Sequence, residues 1–405
     1  MVWTHVGETV VQPVVGTAPF RPDSPEYLAD PYAHLAALRA QSPVYVDPGS
    51  GRWFVLAYDD VEVGLSHVLR GEPKGPNRNV HFPDNPFRAD GPPHAEPRRL
   101  IAPALTNRAV QRYRERAQAI VDAAFAGKGD GAELRVVEEI GFELPYRLTC
   151  DLLGIPEVDD PAELRAWTWK SLELIDAFLT DEQLQDDLAA SACLAEHVDE
   201  VAAWKRDHLG DDLFSTVIRA ADEGRVMRPE QVVPYIHTLY LAGMHTTVNQ
   251  TSLSLLAILE RPDQWELLRS QPELLENAVE ELLRFEPTAQ YMRRTAMSDI
   301  ELGEITVPTG TDLVCWIASA NRDEGRWGET ADQLDITRAD ARQHVAFGKG
   351  AHVCIGSWLA RMELEVVLRT MLERYPRSVV AEQELVWSSN VIRGPEELLV
   401  RLGTA

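Results

Sequence analysis

The chain has 405 residues, 45% of them hydrophobic and 25% charged, which allows either two or three domains or one large enzyme domain. Its 39 basic and 64 acidic residues give a net charge of −25, which excludes nucleic acid or an anionic membrane as the main partner. The polar opening segment is not a signal peptide and no apolar run has membrane-spanning length, so we expect a cytoplasmic protein without a membrane partner.

The N-terminal part of the chain predicts a helix, a hairpin and a loop. Residues 30–44 start with Asp-Pro and have apolar residues at helical spacing, which predicts a capped helix ending near Ser42. Residues 52–58 (RWFVLAY) predict a strand that pairs with VYV across the turn DPGSG. Residues 71–94 are rich in Gly, Pro and Asn and predict a long irregular loop, which in compact proteins usually has a function.

Helical patterns dominate the middle of the chain. They run from about 107 to 286, with breaks near 128–132, 155–160, 209–212 and 223–228. The longest apolar stretch is 229–261, short strand patterns follow residue 287, and a last long helix is predicted over 356–374. The sequence therefore predicts a mainly α protein with a smaller β portion and no composition break between independent domains.

The stretch FGKGAHVCIGSWLAR (347–361) surrounds a single cysteine, Cys354, with glycines at 348, 350 and 356. The other cysteines (150, 193 and 315) are far away in sequence, which excludes zinc or redox chemistry of the C-x-x-C type. Glycines allow positive φ and close approach to a flat partner. A sulfur just before a helix favours thiolate, which can be a nucleophile or a metal ligand. The alternative is a buried structural cysteine beside a turn.

With this motif the sequence resembles a cytochrome P-450, a haem-thiolate monooxygenase of the soluble bacterial type, from DPYAHLAALRA to RGPEELLV. The resemblance implies one haem b per chain with the Cys354 thiolate as axial ligand. It also implies that His352 donates to a haem propionate, that Phe347 packs near the sulfur, and that Gly348 and Gly356 belong to the cofactor-binding loop.

The fold implied by the resemblance is a single cytochrome P-450 domain over residues 1–405, largely helical, with a β-rich lobe that helps to enclose the haem. The β-rich lobe is expected from about 43–58, 288–315 and 378–402. The helical lobe is expected from about 95–286 and 355–374.

The segment EELLR places Glu281 and Arg284 three residues apart, on one helix face. Spacing alone favours a solvated surface pair of small energetic value. The resemblance instead implies a buried pair completed by Arg338, a structural clamp behind the haem without a catalytic role.

The segment YLAGMHTTVNQ places Gly243, Thr246 and Thr247 inside the long apolar helix, which weakens it locally. The resemblance implies a groove for oxygen here, with Thr246 assisting oxygen activation. His245 stands where the family has an acid. Two hypotheses stay open: His245 relays protons because imidazole titrates near neutrality, or it points away and water delivers the protons.

The segment GPPHAEPRRL places His94 and Arg98 one helical turn apart, with Pro97 between them. The resemblance implies that both bind haem propionates, together with Arg294 and His352. Arg99 and Arg293 are direct sequence neighbours of Arg98 and Arg294 and are the alternative candidates for propionate binding. Four donors for two carboxylates is chemically sensible, because arginine–carboxylate pairs are strong when partly buried.

The resemblance also places the substrate pocket, which mixes apolar and polar side chains and suits a largely apolar organic molecule. The expected wall residues are Val80, Phe82, Leu239, Gly243, Thr288, Tyr291, Val391 and Ile392. The identity of the substrate does not follow from the fold.

The chain has no flavin-binding motif and no iron–sulfur cysteine cluster, so the resemblance implies electrons from a separate ferredoxin and ferredoxin reductase. A basic patch of Lys349, Arg342 and Arg361 would steer an acidic ferredoxin, unless it is scattered surface charge. We expect a monomeric, O2-dependent monooxygenase of secondary metabolism. The alternatives are a peroxide-driven peroxygenase, a non-catalytic haem sensor, and a thiol hydrolase using Cys354 with His352.

Overall fold

The computed structural model describes residues 13–17, 20–22, 24–66 and 85–404. The α-helices in these ranges are α1 Pro25–Ala29, α2 Pro31–Gln41, α3 Tyr58–Ser66, α4 Pro92–Ile101, α5 Asn107–Val110, α6 Arg114–Ala124, α7 Glu143–Leu153, α8 Ala162–Glu173, α9 Asp181–Asp207, α10 Leu213–Asp222, α11 Val232–Leu259, α12 Pro262–Ser270, α13 Leu275–Phe285, α14 Ile317–Ala320, α15 Glu324–Trp327 and α16 Ser357–Arg374. The β-strands are β1 Val14–Val15, β2 Val44–Val46, β3 Trp53–Val55, β4 Glu133–Arg135, β5 Met292–Thr295, β6 Ile300–Leu302, β7 Ile305–Val307, β8 Asp312–Cys315, β9 Val379–Val380 and β10 Leu399–Arg401.

The helix and hairpin predicted near the N-terminus are confirmed. Asp30 caps α2 by accepting the N–H of Tyr32 at 3.1 Å, and the helix ends just before Ser42. Strands β2 and β3 pair antiparallel, but β3 is shorter than predicted. The chain turns into α3 because the carboxylate of Asp323 accepts the N–H of Tyr58 at 2.8 Å.

The predicted loop over 71–94 lies mostly outside the described residues. Its described end contains a 3-10 turn, Pro86–Arg88, and α4 already begins at Pro92, so the loop prediction extends too far. Pro97 lies in the interior of α4, beyond the first turn in which proline is normally tolerated.

The three segments predicted for the β-rich lobe contribute strands to three sheets. One sheet has the order β1-β2-β3-β8-β5, which joins the segments near 43–58 and 288–315 as expected. The strands of 378–402, however, form a separate sheet in the order β4-β10-β9. Strand β4 was not predicted, because three residues between helical patterns carry no periodic signal; Leu134 pairs with Val400 and both are buried in the core that includes the large helices.

The long helix α11 crosses that core and continues through Gly243 without interruption. The last helix, α16, follows the Cys354 loop and packs against α11 and α13. These three helices hold the site described below. In the part of the chain that the structure describes, no helix has both the length and the apolar character needed to cross a membrane.

Candidate active site

Residues 347–356 form a tight loop that presents Cys354 just before α16. The Cys354 N–H donates to the carbonyl oxygen of Phe347 at 2.8 Å and closes the loop. Gly350 has a φ of 71°, and a Cβ there would lie 2.7 Å from the Cα atom of Ser66 in α3. Only glycine combines this conformation with this contact, so the loop is fixed against α3.

The Cys354 side chain is exposed into an interior cavity. Burial by the surrounding protein raises the pKa of the thiol, while the Gly356 N–H and the guanidinium groups of Arg98 and Arg361 oppose the rise. A free thiol in this setting is a poor nucleophile, whereas a metal ion would deprotonate it outright. The environment therefore favours a ligand role over the thiol-hydrolase alternative.

The cavity has a volume of about 290 Å³ and lies between α11, α16 and the strand β5. Its walls are largely apolar. The apolar and small lining residues include Ala242, Gly243, Leu283, Ala289, Met292, Ala346, Phe347, Gly348, Gly356, Leu359, Ala360, Leu364 and Ile392. The polar ones are Thr246, Thr247, Gln250, Thr288, Arg294, His352 and Glu363.

A short segment of helix α11 exposes its side chains to this cavity. Ala242 is exposed and Gly243 and Thr246 are half-buried, whereas nearly all of the later part of the helix is buried. The Thr246 hydroxyl donates to the carbonyl oxygen of Ala242 at 2.9 Å, the back-bond expected from the sequence. A Cβ on Gly243 would lie 2.9 Å from Thr149 Oγ1, so glycine is also needed for packing against α7.

His245 lies on the opposite face of α11 and does not line the cavity. Its Nε2 is 2.7 Å from Thr168 Oγ1 and 3.3 Å from the Arg165 carbonyl oxygen, both in α8. The Trp169 ring packs against the imidazole edge-on at 4.9 Å. This placement favours the hypothesis in which His245 points away from the reacting groups, because a relay needs a path into the cavity.

Burial lowers the pKa of His245 to about 3, far below its value of about 6.5 in an unfolded chain. Below pH 6.5 the unfolded state therefore binds more protons, and stability decreases as the pH falls from about 6.5 toward 3. We expect His245→Gln to flatten this decrease by up to about 1.4 kcal/mol per pH unit. Urea unfolding at several pH values measures the slope; parallel slopes for the two proteins would contradict the assignment.

Two histidines and an arginine lie at the rim of the cavity, beside Cys354. The rings of His94 and His352 stack with centroids 4.0 Å apart, and His352 Nε2 is 2.8 Å from Asp90 Oδ1. Arg98 donates to the Val353 carbonyl oxygen beside Cys354. His352 is thus engaged with Asp90, which further disfavours a Cys354–His352 hydrolase pair.

The two alternative candidates for propionate binding, Arg99 and Arg293, lie outside the cavity. Arg293 forms an ion pair with Asp312 at 2.6 Å, while the neighbouring Arg294 lines the cavity. Arg99 is exposed and donates to its own helix at Ala95. The structure therefore places Arg98 and Arg294 at the site and Arg99 and Arg293 outside it.

These donors fit a flat apolar group that carries carboxylates. His94 Nε2 is buried without a hydrogen-bond partner among the described residues. Arg98 and Arg294 have no ion pair with a carboxylate in the described ranges, although burial lowers the pKa of both. Unneutralised cations beside an apolar cavity and a thiol match the donor set for an iron porphyrin with two propionates.

The predicted pocket walls are found only in part. Gly243, Thr288 and Ile392 line the cavity. Leu239, Tyr291 and Val391 do not, and Val80 and Phe82 lie outside the described residues.

Tyr291 and Val391 are corrections to the predicted pocket. Tyr291 is fully buried, and its hydroxyl donates to Asp176 and accepts the Ala177 N–H at 3.0 Å. Val391 is buried in the core beneath the five-stranded sheet. Both side chains therefore stabilise the fold behind the pocket wall. Leu239 is half-buried and packs against the core that includes the large helices.

Sequence reasoning missed Glu363, an acid of α16 that lines the cavity and is only 1% exposed. Burial raises its pKa to about 8, opposed by a hydrogen bond with the Thr247 side chain. The carboxyl group is therefore mostly uncharged at neutral pH and able to donate a proton. One signal was available: Glu363 interrupts the apolar positions Leu359, Met362 and Val366 on the buried face of α16.

The predicted clamp residues come together. Glu281 and Arg284 are both 0% exposed and form two bonds of 2.7 and 2.8 Å. Arg338 adds a longer contact of 3.2 Å to the same carboxylate. Arg284 also donates to the backbone carbonyls of residues 321, 331 and 333, so it joins α13 to the chain that precedes the Cys354 loop.

The expected basic patch is neutralised. Lys349 pairs with Glu62 at 3.0 Å, and Arg342 and Arg361 both bind Glu280 at 2.8 Å. This arrangement favours the alternative of scattered surface charge, because each cation is paired with a carboxylate, Glu280 serving both arginines.

Comparison with known proteins agrees with this site. The cytochrome P450 family model matches residues 181–393. A nocardicin C N-oxygenase of Nocardia uniformis subsp. tsuyamanensis is 34% identical over 388 residues, covering 92% of this chain and 95% of the relative. The cytochrome P450 monooxygenase PikC of Streptomyces venezuelae is 33% identical over 419 residues, covering 98% and 96%. The solved structure of P450BioI with an acyl carrier protein bearing hexadec-9Z-enoic acid matches with a TM-score of 0.85 at 28% identity, covering 93% of this chain and 100% of that one.

A mainly helical fold around an apolar, cation-rimmed cavity with a thiol is the architecture of a haem-thiolate protein. The chain belongs to the cytochrome P450 family and is a P450 monooxygenase. The family carries a haem with a cysteine thiolate ligand.

Proposed function

We propose that the chain binds one haem b through the Cys354 thiolate and inserts one oxygen atom from O2 into a largely apolar organic substrate. The single observation that carries this proposal is the Cys354 side chain opening into an apolar cavity beside Arg98 and Arg294, which have no carboxylate partner in the described ranges. When bound, the haem supplies oxygen activation. The protein supplies binding, orientation and protons.

His94, Arg98, Arg294 and His352 would hold the propionates. His94 Nε2 is buried without a hydrogen-bond partner among the described residues, and Arg294 lines the cavity. His352 is bonded to Asp90, so binding a propionate there would require exchange of one carboxylate for another. Phe347, Gly348 and Gly356 would pack against the ring on the Cys354 side.

Two groups would hold protons inside the cavity. The Thr246 hydroxyl lies on the α11 wall, and the Glu363 carboxyl lies on the α16 wall beside Thr247. With its pKa near 8, Glu363 retains its proton at neutral pH and is suited to donate it.

The lining of the cavity supports an apolar substrate, with Thr288 and Gln250 available to orient polar groups. The relatives named above include an N-oxygenase of nocardicin C, and we infer a small organic substrate for this chain as well. Electrons would come from a separate ferredoxin and its reductase, acting on the protein as a monomer.

The test is spectroscopic and chemical. The purified protein is reduced and exposed to carbon monoxide, and the red-displaced Soret band of thiolate coordination is expected. Oxygen consumption with ferredoxin and reductase should then be coupled to an oxygenated product. A missing band ends the proposal, and turnover supported only by peroxide would favour the peroxygenase alternative.

We expect Thr246→Ala to reduce the product formed per oxygen consumed by about a hundredfold, a typical share for a positioned proton donor. The reason is that the Thr246 hydroxyl lies on the α11 wall at the half-buried segment that lines the cavity, whereas the Thr247 side chain is buried. Thr251→Ala makes the same chemical change on the same helix at a buried position outside the cavity lining, and should leave this ratio unchanged. Equal ratios in the two variants would exclude the role of Thr246.

A further inference from the structure

A second cavity of about 200 Å³ lies where α8 ends, α9 begins and the segment 387–390 crosses them. Three carboxylates line it: Glu173 at the end of α8, Asp176 in the connection, and Asp187 in α9. The rings of Phe178 and Trp387 supply apolar walls. None of these acids belongs to the site described above.

Asp187 is the informative member of the group. Its side chain is buried, with 6% of the residue exposed, and Oδ2 has no hydrogen-bond partner among the described residues. Burial raises its pKa to about 6, and the positive charge of Lys170 opposes this rise. Lys170, however, forms its ion pair with the exposed Asp186, at 3.2 Å. A buried carboxylate with an open acceptor is costly unless a donor or a cation fills the site.

The hydrogen-bond partner of the Glu173 carboxyl group is an uncharged side chain. Its Oε2 accepts the Ser389 hydroxyl at 2.8 Å, and it forms no ion pair in the described ranges. Burial raises its pKa to about 8, and the charges of Asp176 and Asp187 raise it further. A second nearby cation, Arg393, lies over the Trp387 ring at 3.5 Å but pairs with Glu286 at 3.2 Å. Neither Lys170 nor Arg393 therefore forms an ion pair with Glu173 or Asp187 in the described ranges.

The geometry disfavours a metal ion as the missing cation. No group of three His, Cys, Asp or Glu side chains in the described part of the chain is arranged to hold one. Aromatic walls beside carboxylates are instead the usual surroundings of an organic ammonium group, which gains from both charge pairing and ring contact. A volume of about 200 Å³ accommodates such a group with its alkyl substituents.

We propose that this cavity is a subsite for a protonated or quaternary amine on the substrate, with Asp187 as its counter-ion and Glu173 beside it. Asn390 lines this cavity and donates to Asp176 at 2.8 Å, and Ile392, two residues further along the chain, lines the main cavity. A substrate that occupies both cavities would carry its basic group several bonds from the carbon that is oxidised. The assignment to the substrate rests on the proposed function, whereas binding of an ammonium group does not.

The test uses phenylalkyl-trimethylammonium ions with linkers of increasing length and their neutral tert-butyl analogues. These ions have no lone pair and so cannot ligate iron directly. Calorimetric titration of the haem-loaded protein should show about a tenfold preference for the cation at the best linker length. Asp187→Asn should abolish the preference, Glu173→Gln should reduce it, and Asp186→Asn should retain it, because Asp186 is exposed and outside the cavity.

Asp187→Asn should also retain or increase the melting temperature, since it removes an unpartnered buried carboxylate, and this checks that the variant folds. Equal affinities for ion and analogue, or a preference that survives Asp187→Asn, would overturn the proposal. The proposal would also be overturned if Asp186→Asn lost the preference for the cation to the same extent as Asp187→Asn. A haem spin shift that follows the same titration supports the assignment to the substrate, and its absence overturns that assignment. Failure of the proposed function shows separately, as a missing thiolate band with carbon monoxide.

Discussion

Replacing Arg284 with methionine should lower the free energy of unfolding by about 3–5 kcal/mol, the usual cost of removing one partner of a buried ion pair. The Glu281 carboxylate is 0% exposed and would lose two short bonds, keeping the longer contact with Arg338 and the Asp335 N–H, which donates at 3.0 Å. Three backbone carbonyls would lose their donor at the same time. Urea unfolding of the purified variant measures the change.

The matched control is Arg269→Met. Glu266 and Arg269 have the same spacing, but their side chains are 60% and 48% exposed, so we expect a change within about 0.5 kcal/mol. The double variant Glu281→Leu with Arg284→Met should be less destabilised than Arg284→Met alone, because the fully buried carboxylate is removed with its partner, while Arg338 keeps its bonds to Thr330. A loss below about 1 kcal/mol for Arg284→Met would contradict the clamp, since that is the range of exposed pairs.

The two pairs show where sequence reasoning ends. Residues 266–269 and 281–284 have the same sequence, ELLR, in successive long helices, yet one pair is solvated and the other fully buried. Local spacing predicts that each pair can form, and only tertiary packing decides what it stabilises. The resemblance to a family, and not the spacing, indicated which of the two is the clamp.

The same division holds for the rest of the molecule. Long periodic segments and caps predicted α2, α11 and α16 well, because their signals are local. Strand β4 and the orientation of His245 depend on distant partners, β10 and Thr168, that no local pattern reveals. Glu363 was missed for the same reason: an acid on an apolar helix face is informative only once the cavity behind it is known.

Replacing Cys354 with serine should remove the red-displaced Soret band and reduce oxygenation to background. The band and the oxygen chemistry both depend on electron donation from a thiolate, and a serine hydroxyl stays protonated and donates weakly. Among the described cysteines, only Cys354 lines the cavity; Cys150 and Cys315 are buried elsewhere and Cys193 is exposed on α9. No other thiol is therefore placed to substitute for it.

Cys193→Ser makes the identical chemical change at a surface position and should retain both the band and the activity. The Cys354 variant should keep its fold, because its loop is closed by the backbone bond from residue 354 to Phe347 and by the packing of Gly350 on Ser66, neither of which uses the sulfur. Circular dichroism and urea unfolding establish that point independently of the haem. A folded Cys354→Ser protein that retains the thiolate band would place the ligand on another cysteine and contradict the site assigned to this chain.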